Sequence, residues 1–283
     1  MKSYLQHKQI VDSYNDVSET IKTLEKISTG ELHNLKKQRE AVVDHVKIVS
    51  ALYSRLISIK NSQLNNKNIL FSTNSKGLTI IVTGKLSLVG ELWHKLYNFF
   101  LKTKEENKFG HILVLGEKGK ELWSDYVTEN ITFRDLPEME LIDVYVNSLA
   151  NELSDFVSAG IYDTIDIVYL KSNSVTDQVI SKITLYPIAI EDNITKKDIG
   201  YPIIDGSIDM LLKVIIEKYL AVNLYDIFLE TAVSAHAART VTLEHSAAKT
   251  EELIKVENQI FRRERRRINT EKQLEQFAVM KGL

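Results

Sequence analysis

Residues 261–277, FRRERRRINTEKQLEQF, hold the most concentrated charge in the chain: five arginines and one glutamate in the six consecutive positions 262–267. Guanidinium groups at this density suit nucleic-acid phosphates, an anionic membrane or an acidic protein surface. Nucleic acid is the weakest of the three, because no aromatic residue interleaves the block. The whole chain also carries 36 Lys and Arg against 38 Asp and Glu, a net charge of -2. A dedicated nucleic-acid binder is basic over its whole domain. A solvated helix face that merely carries charge is the plain alternative.

No other constellation carries catalysis. GEKGK and TGKL lack the second-glycine spacing of a P-loop and the Ser or Thr after its lysine. No GxGxxG follows a strand, so no dinucleotide cofactor is expected. The seven histidines are scattered without an HExxH, and no metal site is expected. Asp163 and Asp166, at a strand start, read as turn and cap residues. The chain has no cysteine, which removes disulfides and thiol chemistry. The expectation is a chain with no active site, no signal peptide and no membrane span, soluble or peripheral.

The positioning elements follow from pattern. Residues 4–60 predict one long helix whose seam, with alternating four-three spacing, runs through Ile10, Tyr14, Val17, Ile21 and Leu24. The same grid continues through Ser28, Glu31, Leu35, Gln38, Val42, His45, Val49, Leu52 and Leu56. The middle changes regime. Strands are predicted at 77–84, 111–116, 164–172 and 179–188, with helices at 91–107 and 136–160. This alternation implies a parallel or mixed sheet covered on both faces. Trp93 and Trp123 read as core. After Pro202 a helix capped by Asp205 or Ser207 runs without Gly or Pro to Lys281. Its distal seam is predicted at Leu253, Val256, Ile260, Arg263, Arg267, Thr270, Leu274 and Phe277. The fold class is α/β: an antiparallel coiled coil of long N- and C-terminal helices plus a Rossmann-like domain. The boundaries are 1–60, 61–204 and 205–283.

That layout resembles the gamma subunit, the rotor shaft, of F-type ATP synthase. Residues 229–254 look like the family's C-terminal helix, with its Ser-x-x-Ala-Ala-Arg core on Ser234, Ala237, Ala238 and Arg239. Thr270 takes the family's threonine, and Arg265 and Arg266 the preceding Arg-Gln. LVLGEKGKELW is similar to a strand ending in Ile-Gly-x-Lys-Gly, on Gly116, Lys118 and Gly119. Residues 163–188 resemble a strand–loop–strand ending in Leu-x-Pro. At the N-terminus Lys22, Leu24 and Glu25 match loosely.

The resemblance implies a non-catalytic rotor subunit that couples ATP hydrolysis or synthesis to rotation and proton transport. Its partners would be alpha- and beta-type P-loop subunits, one copy of this chain per hexamer. A small epsilon-like subunit, a membrane ring or another partner would sit at the foot. The location would be cytoplasmic, peripheral on the inner face of a membrane. Shaft contacts with the ring would be Lys22, Leu24, Glu25, Arg239, Arg263, Arg265, Arg266, Arg267 and Thr270, the arginines forming a collar opposite acidic loops. One stretch departs from the family: its polar glycine-rich turn after the first strand is GKLSLVGELW here, keeping only Gly90. Lys85, Leu86, Ser87, Leu88 and Val89 are therefore expected to meet a different foot partner, as in a specialised motor that does not drive a standard proton ring. The competing expectation is that Leu88 and Val89 begin the next helix and pack on the sheet. The rival class for the whole chain is a stand-alone coiled-coil adaptor with an α/β head.

Overall fold

The computed structural model describes residues 4–63, 77–106, 110–124, 130–188, 207–280 and 282. The polar stretch 64–76, Pro202, Asp205 and Lys281 lie outside the described residues. Helix α1 spans Tyr4–Gln63, and the elements β1 (Gly77–Val82), α2 (Leu92–Glu106), β2 (His111–Leu115) and α3 (Glu117–Leu122) follow. Then come β3 (Ile131–Arg134), a 3-10 turn (Met139–Leu141), α4 (Ile142–Ser158), β4 (Thr164–Ser172), β5 (Gln178–Tyr186) and α5 (Ile208–Met280). The chain packs as two units, 31–238 and the pair of segments 1–30 and 239–283.

In the first unit the strands lie in the order β3-β2-β1-β4-β5. All pairings are parallel except β4–β5, so the sheet is mixed. Its strands are apolar on both faces, and the two-residue period sorts them. Ile80, Val82, Leu113, Leu115, Ile165 and Ile167 face one layer, where α4 and the proximal part of α5 pack. Ile81, Ile112, Val114 and Val168 face the other, against Leu96 and Phe100 of α2 and Trp123. Helix α4 presents Ile142, Val146, Leu149, Ala150 and Leu153, the i, i+4, i+7, i+8, i+11 stripe of one helical face. Both tryptophans are core: Trp93 is buried, and Trp123 is fully enclosed between Tyr97 and Phe100. Strand β3 carries no sequence signal of its own, because four residues are too few to display a period.

Glycines hold the turn after β2. Gly116 has φ 104, and a Cβ there or at Gly119 would strike Thr83. The space is taken up by bonding, since Thr83 donates to the Leu115 carbonyl and accepts from the Gly119 amide. The Gly-x-Lys-Gly sequence thus serves close packing.

Candidate functional site

Within the unit 31–238, α1 and α5 run antiparallel. Leu32 and Leu35 pack on Leu229, Val233 and Ala237, while Tyr53 and Leu56 pack on Leu212. Arg39 joins the same interface. It bonds Asp226 at 2.7 Å and pairs with Glu230, whose carboxylate is almost wholly buried. Burial opposes the Arg39 charge, but Asp226 and then Glu230 outweigh it and hold its pKa above the ordinary value. Glu230 also accepts from the Ser172 amide of β4 at 2.7 Å, and Ser234 donates to the Leu170 carbonyl at 3.1 Å. The segment therefore meets the C-terminal end of β4 with the small residues Ser234, Ala235 and Ala238, while Ala237 packs on Leu32 and Leu35 of α1.

In the unit formed by 1–30 and 239–283, the same two helices again pair antiparallel. Tyr4 stacks on Phe261, His7 bonds Glu257, and Lys22 bonds Glu251 at 2.8 Å. That hydrogen bond raises the Lys22 pKa and lowers that of Glu251. The inward positions on α1 are Tyr4, His7, Ile10, Val11, Tyr14, Ser18, Ile21, Leu24, Glu25 and Ser28. On α5 they are Leu243, Ala247, Thr250, Ile254, Glu257, Phe261, Glu264 and Ile268.

These positions correct the expected seams. On α1 the Tyr14, Ile21 and Ser28 column holds. Of its companions, Ile10 beside Val11 and Leu24 beside Glu25 also turn inward, and the expectation fails only at Val17, which is exposed while Ser18 is buried. On α5 the seam lies one residue later than expected. Leu253, Val256, Ile260, Leu274 and Phe277 are exposed, and Glu264 rather than Arg263 turns inward. Near the middle of the pair small side chains, Ser18, Ser28, Ala247 and Thr250, take the buried places, and further along the specific contacts Tyr4–Phe261 and His7–Glu257 fix which α5 residues turn inward.

The predicted shaft residues fall accordingly. Arg263, Arg265, Arg266 and Arg267 are all exposed. Arg267 reaches Glu264 at 3.4 Å and Glu271 at 3.7 Å, contacts along its own helix. Thr270 returns its hydroxyl to the Arg266 carbonyl at 3.0 Å. Arg239 is half-buried, and its Nε has no hydrogen-bond partner among the described residues. Leu24 and Glu25 are half-buried.

The predicted foot residues divide. Val89 is buried with Leu92, Trp93 and Leu170, Leu86 packs at the margin of that cluster, and the Leu86 carbonyl accepts from the Trp93 indole at 2.9 Å. Lys85, Ser87 and Leu88 are exposed. Leu88 adopts φ 60, a left-handed conformation that costs a non-glycine residue about 1–2 kcal/mol. The apolar surface of this stretch is therefore mainly Leu88, with Leu86 half-buried, and α2 starts only at Leu92.

The remaining candidates are occupied structurally. Asp166 pairs with Lys182 at 2.8 Å and accepts from Thr184 at 2.7 Å across β4–β5. No cluster of metal-ligating side chains occurs among the described residues, and no described helix is long and apolar enough to cross a membrane. Sequence reasoning missed Arg39, Asp226 and Glu230. Their signal was two acids four residues apart on a helix that otherwise turns apolar there.

A family model described as ATP synthase matches residues 5–272. The ATP synthase gamma chain of Buchnera aphidicola is 25% identical over 258 residues, covering 86% of this chain and 85% of that protein. The ATP synthase gamma chain of Mesoplasma florum is 22% identical over 250 residues, again covering 86% and 85%. Among solved structures, a chain of the Tetrahymena thermophila mitochondrial ATP synthase central stalk and c-ring superposes with a TM-score of 0.64. It has 16% identity and covers 80% of this chain and 99% of that one. A chain of the Euglena gracilis mitochondrial ATP synthase gives a TM-score of 0.53 at 14% identity, covering 91% and 94%.

Proposed function

This chain belongs to the ATP synthase gamma-chain family, and from that premise we propose that it is the central rotor subunit of an F-type or F-type-like rotary ATPase. It turns inside a ring of alternating alpha- and beta-type P-loop subunits, one copy per hexamer. It hydrolyses nothing itself, and it works peripherally on the inner face of a membrane. Segments 1–60 and 205–283 act as the shaft and 61–204 as the foot.

One observation carries the reading. Tyr4, the first described residue of α1, stacks on Phe261, yet α5 continues through residues 262–280. That extension exposes its arginines together with Leu274, Phe277, Val279 and Met280. Beyond Ile268 every described residue of α5 is exposed, and a helix end without a packed face is marginal in water. Apolar residues at its end and a collar of arginines below suit a sleeve with an apolar seat and acidic loops. Arg263, Arg265, Arg266 and Arg267 meet those loops, with Lys22, Leu24, Glu25, Arg239 and Thr270 as further shaft contacts. At the foot, Lys85, Ser87 and Leu88 are the accessible part of the surface offered to an epsilon-like subunit, a ring or another machine.

Native mass spectrometry of the chain purified from its own cells tests this. The expected species holds three copies each of two P-loop subunits and one copy of this chain. A stable homodimer with no ATPase partner favours the adaptor class and overturns the assignment.

A further inference from the structure

Within the unit 31–238, the face that α1 turns toward α5 is aliphatic on both sides of one residue. Leu32 and Leu35 precede Arg39, and Val42, Val43 and Val46 follow it, at the three- and four-residue steps of a single helical face. A stripe of this kind meets its neighbour almost equally well after sliding by one turn or one heptad. Side chains of similar size and no polarity carry little information about position, and a buried polar residue is what fixes the register of paired helices.

Arg39 is such a residue. Between Glu31 and Ser54 every other basic side chain of α1 is exposed, whereas Arg39 turns toward α5. Its Nε donates to Asp226 Oδ1 at 2.7 Å, and its Nη1 pairs with Glu230 Oε2. The two acids lie four residues apart, so they share one face of α5 and the planar guanidinium spans both. Among the described residues Glu230 is the only charged side chain that is fully buried, at 1% exposure. The Ser172 amide occupies Oε1, which leaves Oε2 with Arg39 as its one partner among the described residues. A slide of α1 by a turn or a heptad would bring Leu32, Leu35, Val43 or Val46 opposite Glu230. The carboxylate would then be buried without a cation, a far larger loss than any change in aliphatic contact.

We propose that the Arg39, Asp226 and Glu230 cluster is a register lock, which selects one alignment of α1 against α5 from several that the apolar stripe would accept. Burial is the largest influence on the Arg39 charge and opposes it. Attraction between buried charges is offset in this way, so the cluster contributes more to the choice of alignment than to net stability. The lock acts within a single chain and needs no rotor partner, so its failure would leave the assembly experiment untouched.

The test is methyl nuclear magnetic resonance on the purified full-length chain with labelled Leu, Val and Ala methyls. In the native chain Leu32 and Leu35 should show cross-peaks to Leu229 and Val233, with which they cluster. Arg39→Met with Glu230→Gln removes the paired charges and keeps a carbonyl for the Ser172 amide. That chain is expected to fold, with the Leu32, Leu35, Leu229 and Val233 signals doubled. The second set should carry cross-peaks from Val43 or Val46 to Leu229, or from Leu35 to Val222, the marks of a slide in either direction. Adding Asp226→Asn serves the same purpose if the double variant does not unfold cooperatively. Arg39→Lys alone keeps the cation and should keep a single native set. A single native set in the neutral chain overturns the lock, because packing alone would then fix the register. Doubling in Arg39→Lys overturns it as well, since the cation would then select nothing.

Discussion

The sheet of the unit 31–238 and the helix pair of the unit 1–30 with 239–283 solve packing in opposite ways. The sheet encloses large side chains completely: Ile80, Leu115, Leu153, Ile165 and Ile167 are at or below 2% exposure. The helix pair buries Ser18, Ser28, Leu243, Ala247 and Thr250 and leaves Val17, Ile27, Val256 and Ile260 at the surface. Burial contributes about 25 cal/mol per Å² of apolar area removed from water. The sheet therefore carries its own stability, and the helix pair draws less from each residue it turns inward. What the pair gains is slimness and a surface rich in groups for a partner to hold.

The largest test of this contrast is a cavity in each region. Leu153→Ala should cost about 3–5 kcal/mol and Leu243→Ala about 2, since a narrow helix pair collapses onto a lost side chain more easily than a sheet sandwich. Chemical denaturation of the two variants measures both. Equal costs would mean that the helix pair is as tightly built as the sheet.

A smaller effect is expected where charge enters the sheet unit. Arg39→Met strips the buried Glu230 carboxylate of its cation. Because Arg39 is itself partly exposed, the loss should be about 2–3 kcal/mol, below the full penalty for breaking a buried pair. Adding Glu230→Gln should recover most of it. Absence of recovery would show that Arg39 acts through packing of its stem.

The smallest stability change belongs to the arginine collar. Replacing Arg263, Arg265, Arg266 and Arg267 with Ala together should alter unfolding by less than about 1 kcal/mol, as exposed charges do. The assembled complex should nevertheless rotate less effectively under load. Rotation that is unchanged in single-molecule measurement would relieve the collar of any coupling role.

The same contrast explains what could be read from sequence. All strands but β3 were legible because runs such as LTIIV and HILVL admit few other structures, and α4 because its stripe repeats cleanly. The helical seam was half legible. A four-three grid and its three-four counterpart share every seventh residue, so Tyr14, Ile21 and Ser28 belong to both. Choosing the other column by apolarity selected Ile10, Val17 and Leu24; Ile10 and Leu24 do turn partly inward beside Val11 and Glu25, but at the centre the pair buries Ser18 and exposes Val17. Apolarity decides that choice in a thick core and misleads in a slim one. At the foot, Leu86, Leu88 and Val89 look alike in sequence, but the turn that buries Val89 and exposes Leu88 depends on φ 60 at Leu88 and φ 61 at Gly90.

Glu230 touches three elements at once: the helix that carries it, Arg39 on α1 and the Ser172 amide on β4. Ser234 adds a second link, one helical turn along, to the Leu170 carbonyl. The enclosed side chains Leu220, Leu224, Ile227 and Phe228 already hold α5 against the sheet, because close-packed interiors resist rearrangement. Hydrogen bonds add direction to that packing. They work as a key does in a keyway. A twist of α5 against the sheet would strain both bonds together with the packing around them.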